Sequence, residues 1–246
     1  MKSRLNVGRR TLAEMVIFSA LVAAATMVFS VYVPATRGYF NVGEIMVYTS
    51  ALLMGPVVGG FAGGVGSMIA DIALGYTHYA PATLVVKGLE GFIVGYLGRR
   101  MMRYPKTAWR AFSSAAAVAV GLLVLTVGAN YYTGEVELSL GLPTLSSMQV
   151  TFFIPLIFWV IIAAISMLFI LLVCFVIDPY IGWTVGAVLA GGVVMVSGYF
   201  FYEIYLFGLG AALVEVPVNI GQVTVGLIVS VPLVRAVLKI IPRQLL

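Results

Sequence analysis

Six ionisable side chains stand inside or at the ends of apolar stretches: Glu44, Asp71, Lys87, Glu90, Glu203 and Glu215. A charge in an apolar medium is costly unless it is paired or set in a polar cavity, so each needs a reason to be there. Lys87 and Glu90 are three apart and share one face of any helix, which allows an ion pair. Glu215, Asn219 and Gln222 fall at i, i+4 and i+7 and share a face of another. Acids, amides and one amine arranged like this can hold a small polar ligand through charge and hydrogen bonds. Three plainer readings compete: a structural ion pair for Lys87 and Glu90, polar glue between helices for the 215–222 face, and snorkelling to an interface for Asp71 and Glu44. Tyr39, Tyr76, Tyr79, Tyr199 and Tyr202 add aromatic faces for a flat ligand, although each alone fits an interfacial aromatic belt. His78 reads as an ordinary loop histidine, and no metal or cofactor is expected.

Covalent chemistry has no visible carrier. The sequence contains no GxxxxGK[ST] phosphate loop, no GxSxG, no HExxH and no paired-cysteine metal spacing. One cysteine, Cys174, lies in an apolar run, so no disulfide framework exists. The expectation is therefore a protein that binds, not an enzyme.

The elements that must position these residues are set by composition. Of 246 residues, 62% are hydrophobic and 9% charged, and the mean hydropathy is +1.10. Soluble domains are closer to half apolar and about a quarter charged, so a soluble, disordered or collagen-like chain is excluded. The expected class is all-α: a polytopic transmembrane helical bundle, a single domain over residues 1–246. At about 20 residues per span there is room for roughly eight. The spans read as Leu12 to Val33, Val42 to Met54 (short or tilted), Val57 to Leu74, Ala82 to Gly98, Ala111 to Tyr131, Val150 to Ile177, Gly182 to Phe207 and Ala211 to Ile240. Residues 34–40 read as a turn and 133–149 as a loop. The first apolar stretch exceeds the about 7–15 residues of a signal-peptide core, so a retained span is expected.

Orientation follows from the basic residues. Lys2, Arg4, Arg9 and Arg10 precede the first span, Arg99, Arg100, Arg103, Lys106 and Arg110 follow the fourth, and Arg235, Lys239 and Arg243 close the chain. Eight spans put all three groups on one side, which the positive-inside rule makes cytoplasmic for both termini. The net charge of +5 then reflects loop charge, not a nucleic-acid partner. At ~1.5 Å per residue, Lys87 lies roughly 8–10 Å below the outer end of its span and Glu90 a turn deeper. Asn41 and Glu44 open the second span from outside, Glu203 lies a turn from the outer end of the seventh, and Glu215, Asn219 and Gln222 enter the eighth from outside. The polar groups thus converge on the outer half, an outward-opening pocket.

Small residues form a second pattern. Gly59 with Gly63, and Gly60 with Gly64, are spaced GxxxG, and Gly88, Gly91, Gly95 and Gly98 follow in the next span, where close helix packing is the default explanation. Ala20 and Ala24 form Ala-x-x-x-Ala in the first span.

The stretch YFNVGEIMVYTSALLMGPVVGGFAGGVGSMIADIALGYTHYAPATLVVKGLEGFIVGYLG, residues 39–98, resembles the substrate-binding S component of energy-coupling-factor (ECF) transporters, riboflavin-type branch. The matching elements are the YFN-x-GE opening, the Gly-Pro turn, the glycine-rich helix ending in Ala-Asp, the GY…AP loop and KGxEG. The end, YFFYEIYLFGLGAALVEVPVNIGQVTVG, resembles that branch's last two helices. The resemblance implies a membrane subunit that binds a vitamin or vitamin precursor and works with a transmembrane coupling subunit and two cytoplasmic ATPase subunits in the cell membrane. The residues expected to contact the ligand, from their convergence on the outer half, are Asn41, Glu44, Tyr79, Lys87, Glu90, Tyr199, Glu203, Glu215, Asn219 and Gln222, and the resemblance implies docking of the coupling subunit on Ala20 and Ala24. Such proteins usually have six helices. Here 12–98 and 182–240 would be that core, and 111–177 an inserted helical pair. Two other functions stay open on the sequence: a proton- or sodium-coupled secondary transporter using Glu90 or Glu215, and a membrane enzyme or assembly factor without a ligand pocket.

Overall fold

The computed structural model describes residues 8–100, 106–140, 148–176 and 179–240. Lys2, Arg4, Arg103, Arg243 and Asp178 lie outside these, and so do the side chains of Lys106, Glu137 and Cys174. Eight helices and two hairpins follow in order: α1 Arg9–Val28, β1 Ser30–Val33, β2 Gly38–Asn41, α2 Glu44–Met54, α3 Pro56–Leu74, α4 Ala80–Arg99, α5 Lys106–Tyr131, β3 Gly134–Leu140, β4 Met148–Ile154, α6 Leu156–Val176, α7 Pro179–Phe207 and α8 Leu209–Ile240. The chain is an all-α membrane bundle; among the described residues six helices are long and apolar enough to cross a bilayer, and α2, Glu44–Met54, is a shorter apolar one.

Three local expectations need correction. The first helix ends at Val28, not Val33, and residues 30–41 fold back as an antiparallel hairpin, Ser30 opposite Asn41 and Val33 opposite Gly38. Gly134–Leu140 of the expected loop pairs antiparallel with Met148–Ile154, which takes in the expected first residues of the sixth span, Gly134 opposite Ile154. The sixth helix therefore starts at Leu156, not Val150. The run Val150–Ile154 holds Val, Thr, Phe and Ile, residues that favour strands, and Pro155 separates it from the helix.

The helix boundaries at both ends of α3 follow from backbone chemistry. Gly55 has φ +84 and Pro56 begins α3, the usual pairing of a flexible stop with a proline start. At the other end of α3, Gly75 has φ +89. Its N–H donates to Ile72 O at 3.3 Å and the Tyr76 N–H to Asp71 O at 2.7 Å. This is a Schellman closure, and it fixes Asp71 and Tyr76 side by side at the pocket rim.

The most extensive helix contact is α3 against α4. A Cβ on Gly91 would lie 2.3 Å from Gly59 O, and one on Gly63 would lie 2.7 Å from Lys87 O. The glycine rows thus let two backbones touch, and they set the depth and azimuth of Lys87. The central core joins Val22, Val47, Tyr48, Ala62, Val94, Val188 and Leu227 from six helices. Helices α5 and α6 pack mainly on each other, around Ala117 and Ile170. They meet the remaining helices through α7 and α8, while β3 touches β1.

Candidate ligand-binding site

One cavity gathers most of the polar residues singled out above. Its walls include Asn41 from the end of β2, Asp71 from α3, Tyr79 and Lys87 at and inside α4, Tyr199 and Glu203 from α7, and Glu215, Asn219 and Gln222 from α8. Gly38 and Tyr39 of the first hairpin cover it. Its volume is about 40 Å³, a few waters' worth, since one water takes roughly 10–15 Å³.

Lys87 is 4% exposed and bridges Glu44 of α2 and Glu90 of its own helix, the latter at 3.3 Å. The ion pair weighed from the sequence is present, with a second acid that spacing could not reveal. The Tyr48 hydroxyl donates to Glu90 Oε1 at 2.6 Å, and the Lys87 ammonium lies 5.6 Å from the Tyr199 ring centroid. Buried ions of this kind persist only when paired and hydrogen-bonded. Glu44 and Glu90 stand behind the cavity wall, so they shape the site through Lys87.

The upper tier is built on carboxylates that accept hydroxyls. Tyr39 Oη donates to Asp71 Oδ1 at 2.6 Å, Thr36 Oγ1 to Glu215 Oε2 at 2.5 Å, and Tyr79 Oη to Glu203 Oε1 at 3.3 Å and to Thr36 O at 3.1 Å. In α7, Tyr199 Oη donates to Thr83 Oγ1 at 2.9 Å. Gln222 Nε2 donates to Asn219 Oδ1 at 3.0 Å. Asn41 partly serves its own turn, accepting the Gly43 N–H at 2.9 Å.

Burial, then the Asp71 carboxylate, pushes the Tyr39 phenol well up, and burial followed by Glu203 and Glu215 does the same to Tyr79. Tyr76, stacked on Tyr39 with centroids 4.3 Å apart, is pushed up to about 12, chiefly by burial. These phenols stay protonated near neutral pH and remain donors toward the acids.

Two plain readings fail. Asp71 and Glu44 are 3% and 1% exposed, so neither snorkels. Tyr39, Tyr79 and Tyr199 are buried, so they do not form an interfacial belt.

Sequence reasoning missed Thr36, Tyr48, Thr83 and Tyr132 and left Asp71 out of the site. Tyr48 follows Glu44 by one helical turn, a usable signal. Thr36 and Tyr132 carried none, because hairpin folding and the packing of α5 on α8 bring them in. The Tyr132 hydroxyl is buried without a hydrogen-bond partner among the described residues. Burial and then the Glu215 and Glu203 carboxylates push its pKa up.

The sequence matches the family described as ECF-type riboflavin transporter, S component, over residues 6–165, from α1 into α6. The chain belongs to that family. This S component is 49% identical over 83 residues, 34% of its length and 55% of the relative's, to a Pyrococcus woesei protein described as uncharacterized protein in gap 3'region. It therefore spans about half of that relative. It is also 24% identical over 136 residues, 55% of its own length and 77% of the relative's, to the thiamine precursor transporter HmpT of Lactococcus lactis subsp. cremoris (strain MG1363).

On the S component's first helix, Met15, Ser19, Val22, Ala23 and Thr26 face the protein. Ala20 and Ala24 lie on the exposed side, so they are not packed inside the bundle.

Proposed function

We propose that this protein is the substrate-binding subunit of an ECF-type importer, and that it captures a vitamin or vitamin precursor from outside the cell membrane. Membership in the S component family carries this reading. Uptake is powered by a transmembrane coupling subunit and two cytoplasmic ATPase subunits, and this chain performs no covalent step. The core is 12–98 with 182–240, and 111–177 is an inserted pair. The ligand contacts are Lys87, Asn219 and Gln222 at depth, Tyr79, Tyr199, Glu203 and Glu215 above them, and Asn41 at the entrance, with Glu44 and Glu90 holding Lys87.

The small cavity supports a covered state. A vitamin-sized molecule exceeds 40 Å³ several-fold, so the site must widen to admit it. Mass spectrometry of small molecules that copurify with the protein tests the reading directly, and a vitamin or precursor is the expected finding. Uptake that needs a proton or sodium gradient and no ATPase partner would favour the secondary transporter instead.

Asn219→Ala removes a buried amide from the wall. A lost buried hydrogen bond costs about 1–3 kcal/mol, or roughly 5- to 150-fold in affinity. That loss is expected in calorimetric titration with the copurified ligand, with the unfolding temperature nearly unchanged. Unchanged affinity with lowered stability would make Asn219 packing glue.

Both termini are placed in the cytoplasm. Single cysteines at Ser139 and Thr107, in a Cys174-free background, should differ toward an impermeant thiol reagent, with Ser139 labelled from outside and Thr107 protected. The reverse pattern would invert the topology.

A further inference from the structure

We propose that the pocket selects a positively charged aromatic nitrogen heterocycle that presents N–H donors. This rests on the vitamin-capture reading and names the ligand class within it.

Charge is the first observation. Asp71, Glu203 and Glu215 line the cavity, and among the described residues Lys87 is the one cation in its wall. That ammonium is engaged by Glu44 and Glu90, so its charge is already matched. Hydroxyls from Tyr39, Tyr79 and Thr36 donate to the three lining acids, but a hydroxyl brings no compensating charge. Uncompensated carboxylates in a low-dielectric site favour a cation over a neutral or anionic guest.

The second observation is independent of net charge. Glu203 Oε2 and Gln222 Oε1 are buried with no hydrogen-bond partner among the described residues. Their residues are 1% and 3% exposed, and both line the cavity. Both atoms are acceptors. A buried acceptor without a donor is unfavourable, and a ligand that brings N–H groups removes the penalty. Glu203 sits on α7 and Gln222 on α8, so the two acceptors approach the ligand from different helices.

The third is shape. Tyr39, Tyr79 and Tyr199 line the same space, and tyrosine faces attract flat cations.

The test uses the full chain in detergent and isothermal titration with three probes. Thiamine carries a fixed positive charge and an amino group, 4-amino-5-hydroxymethyl-2-methylpyrimidine is its uncharged half, and riboflavin is a larger neutral heterocycle. Thiamine is expected to bind at least about tenfold more tightly than either neutral probe. Glu203→Gln and Glu215→Gln, which keep shape and remove charge, should each weaken thiamine about tenfold or more while moving the neutral probes less than about twofold. A neutral probe that binds as tightly as thiamine overturns the charge inference and leaves vitamin capture standing. So does wild-type thiamine affinity in both variants. Absence of binding by all three, in protein with an intact unfolding transition, also overturns the charge inference, and copurification then decides vitamin capture separately.

Discussion

Lys87→Met is expected to cause a large loss of stability. It preserves most of the side-chain volume and removes the one cation between Glu44 and Glu90, which are 1% and 0% exposed. Breaking a buried ion pair from one side costs about 3–5 kcal/mol, because the partner is left charged and desolvated. For a chain of this size that is on the order of 10 °C in the unfolding temperature. The charge origin is checked by adding Glu44→Gln and Glu90→Gln to Lys87→Met. The triple variant has no ions left in the cluster and should recover most of the loss. Tyr48 still finds the amide oxygen of residue 90 as an acceptor. Thermal unfolding in detergent reads both. A single variant within about 2 °C of wild type would mean the carboxylates are already neutral and the lysine is dispensable.

Ala24→Trp, and likewise Ala20→Trp, is expected to abolish energised uptake and to leave ligand binding by the isolated protein intact. Two alanines four apart on one helix face leave a shallow groove where another helix can approach closely. In α1 that groove lies opposite the buried face of Met15, Ser19, Val22, Ala23 and Thr26. A tryptophan there meets lipid in the free protein and obstructs a docked coupling subunit. The pocket walls come from the first hairpin and from α3, α4, α7 and α8, with Thr26 of α1 at the edge. Uptake into cells or proteoliposomes with the coupling subunit and ATPases, set beside titration of the isolated protein, separates the two effects. Normal uptake by both variants would refute docking at this face. A joint fall in stability and binding would return the alanines to a packing role.

The two substitutions differ in how far sequence alone anticipated them. Lys87 and Glu90 were a visible pair because three residues is nearly one helical turn. Glu44 was visible as an acid in an apolar run, but nothing in its spacing from Lys87 says that α2 and α4 bring them together. The glycine rows at 59–64 and 88–95 marked a close helix contact, and the structure makes that contact α3 on α4, backbone to backbone.

Composition and periodicity by themselves determined that this chain is a helical membrane bundle, where most of its helices fall, and which polar side chains need an explanation. Those follow from hydrophobic length and from the cost of charge in lipid, and both are local properties of sequence. The tertiary structure decided what local patterns could not. It folded 30–41 into a hairpin and paired Gly134–Leu140 with Met148–Ile154, because pairing satisfies backbone groups that a turn-or-loop reading leaves unassigned. It turned Asp71 and Tyr39 from interfacial residues into a buried hydrogen-bonded pair. It brought Thr36 to Glu215 across 179 positions of chain. Contacts of that range depend on which helices pack together, and a single sequence carries no record of those pairings in its spacing.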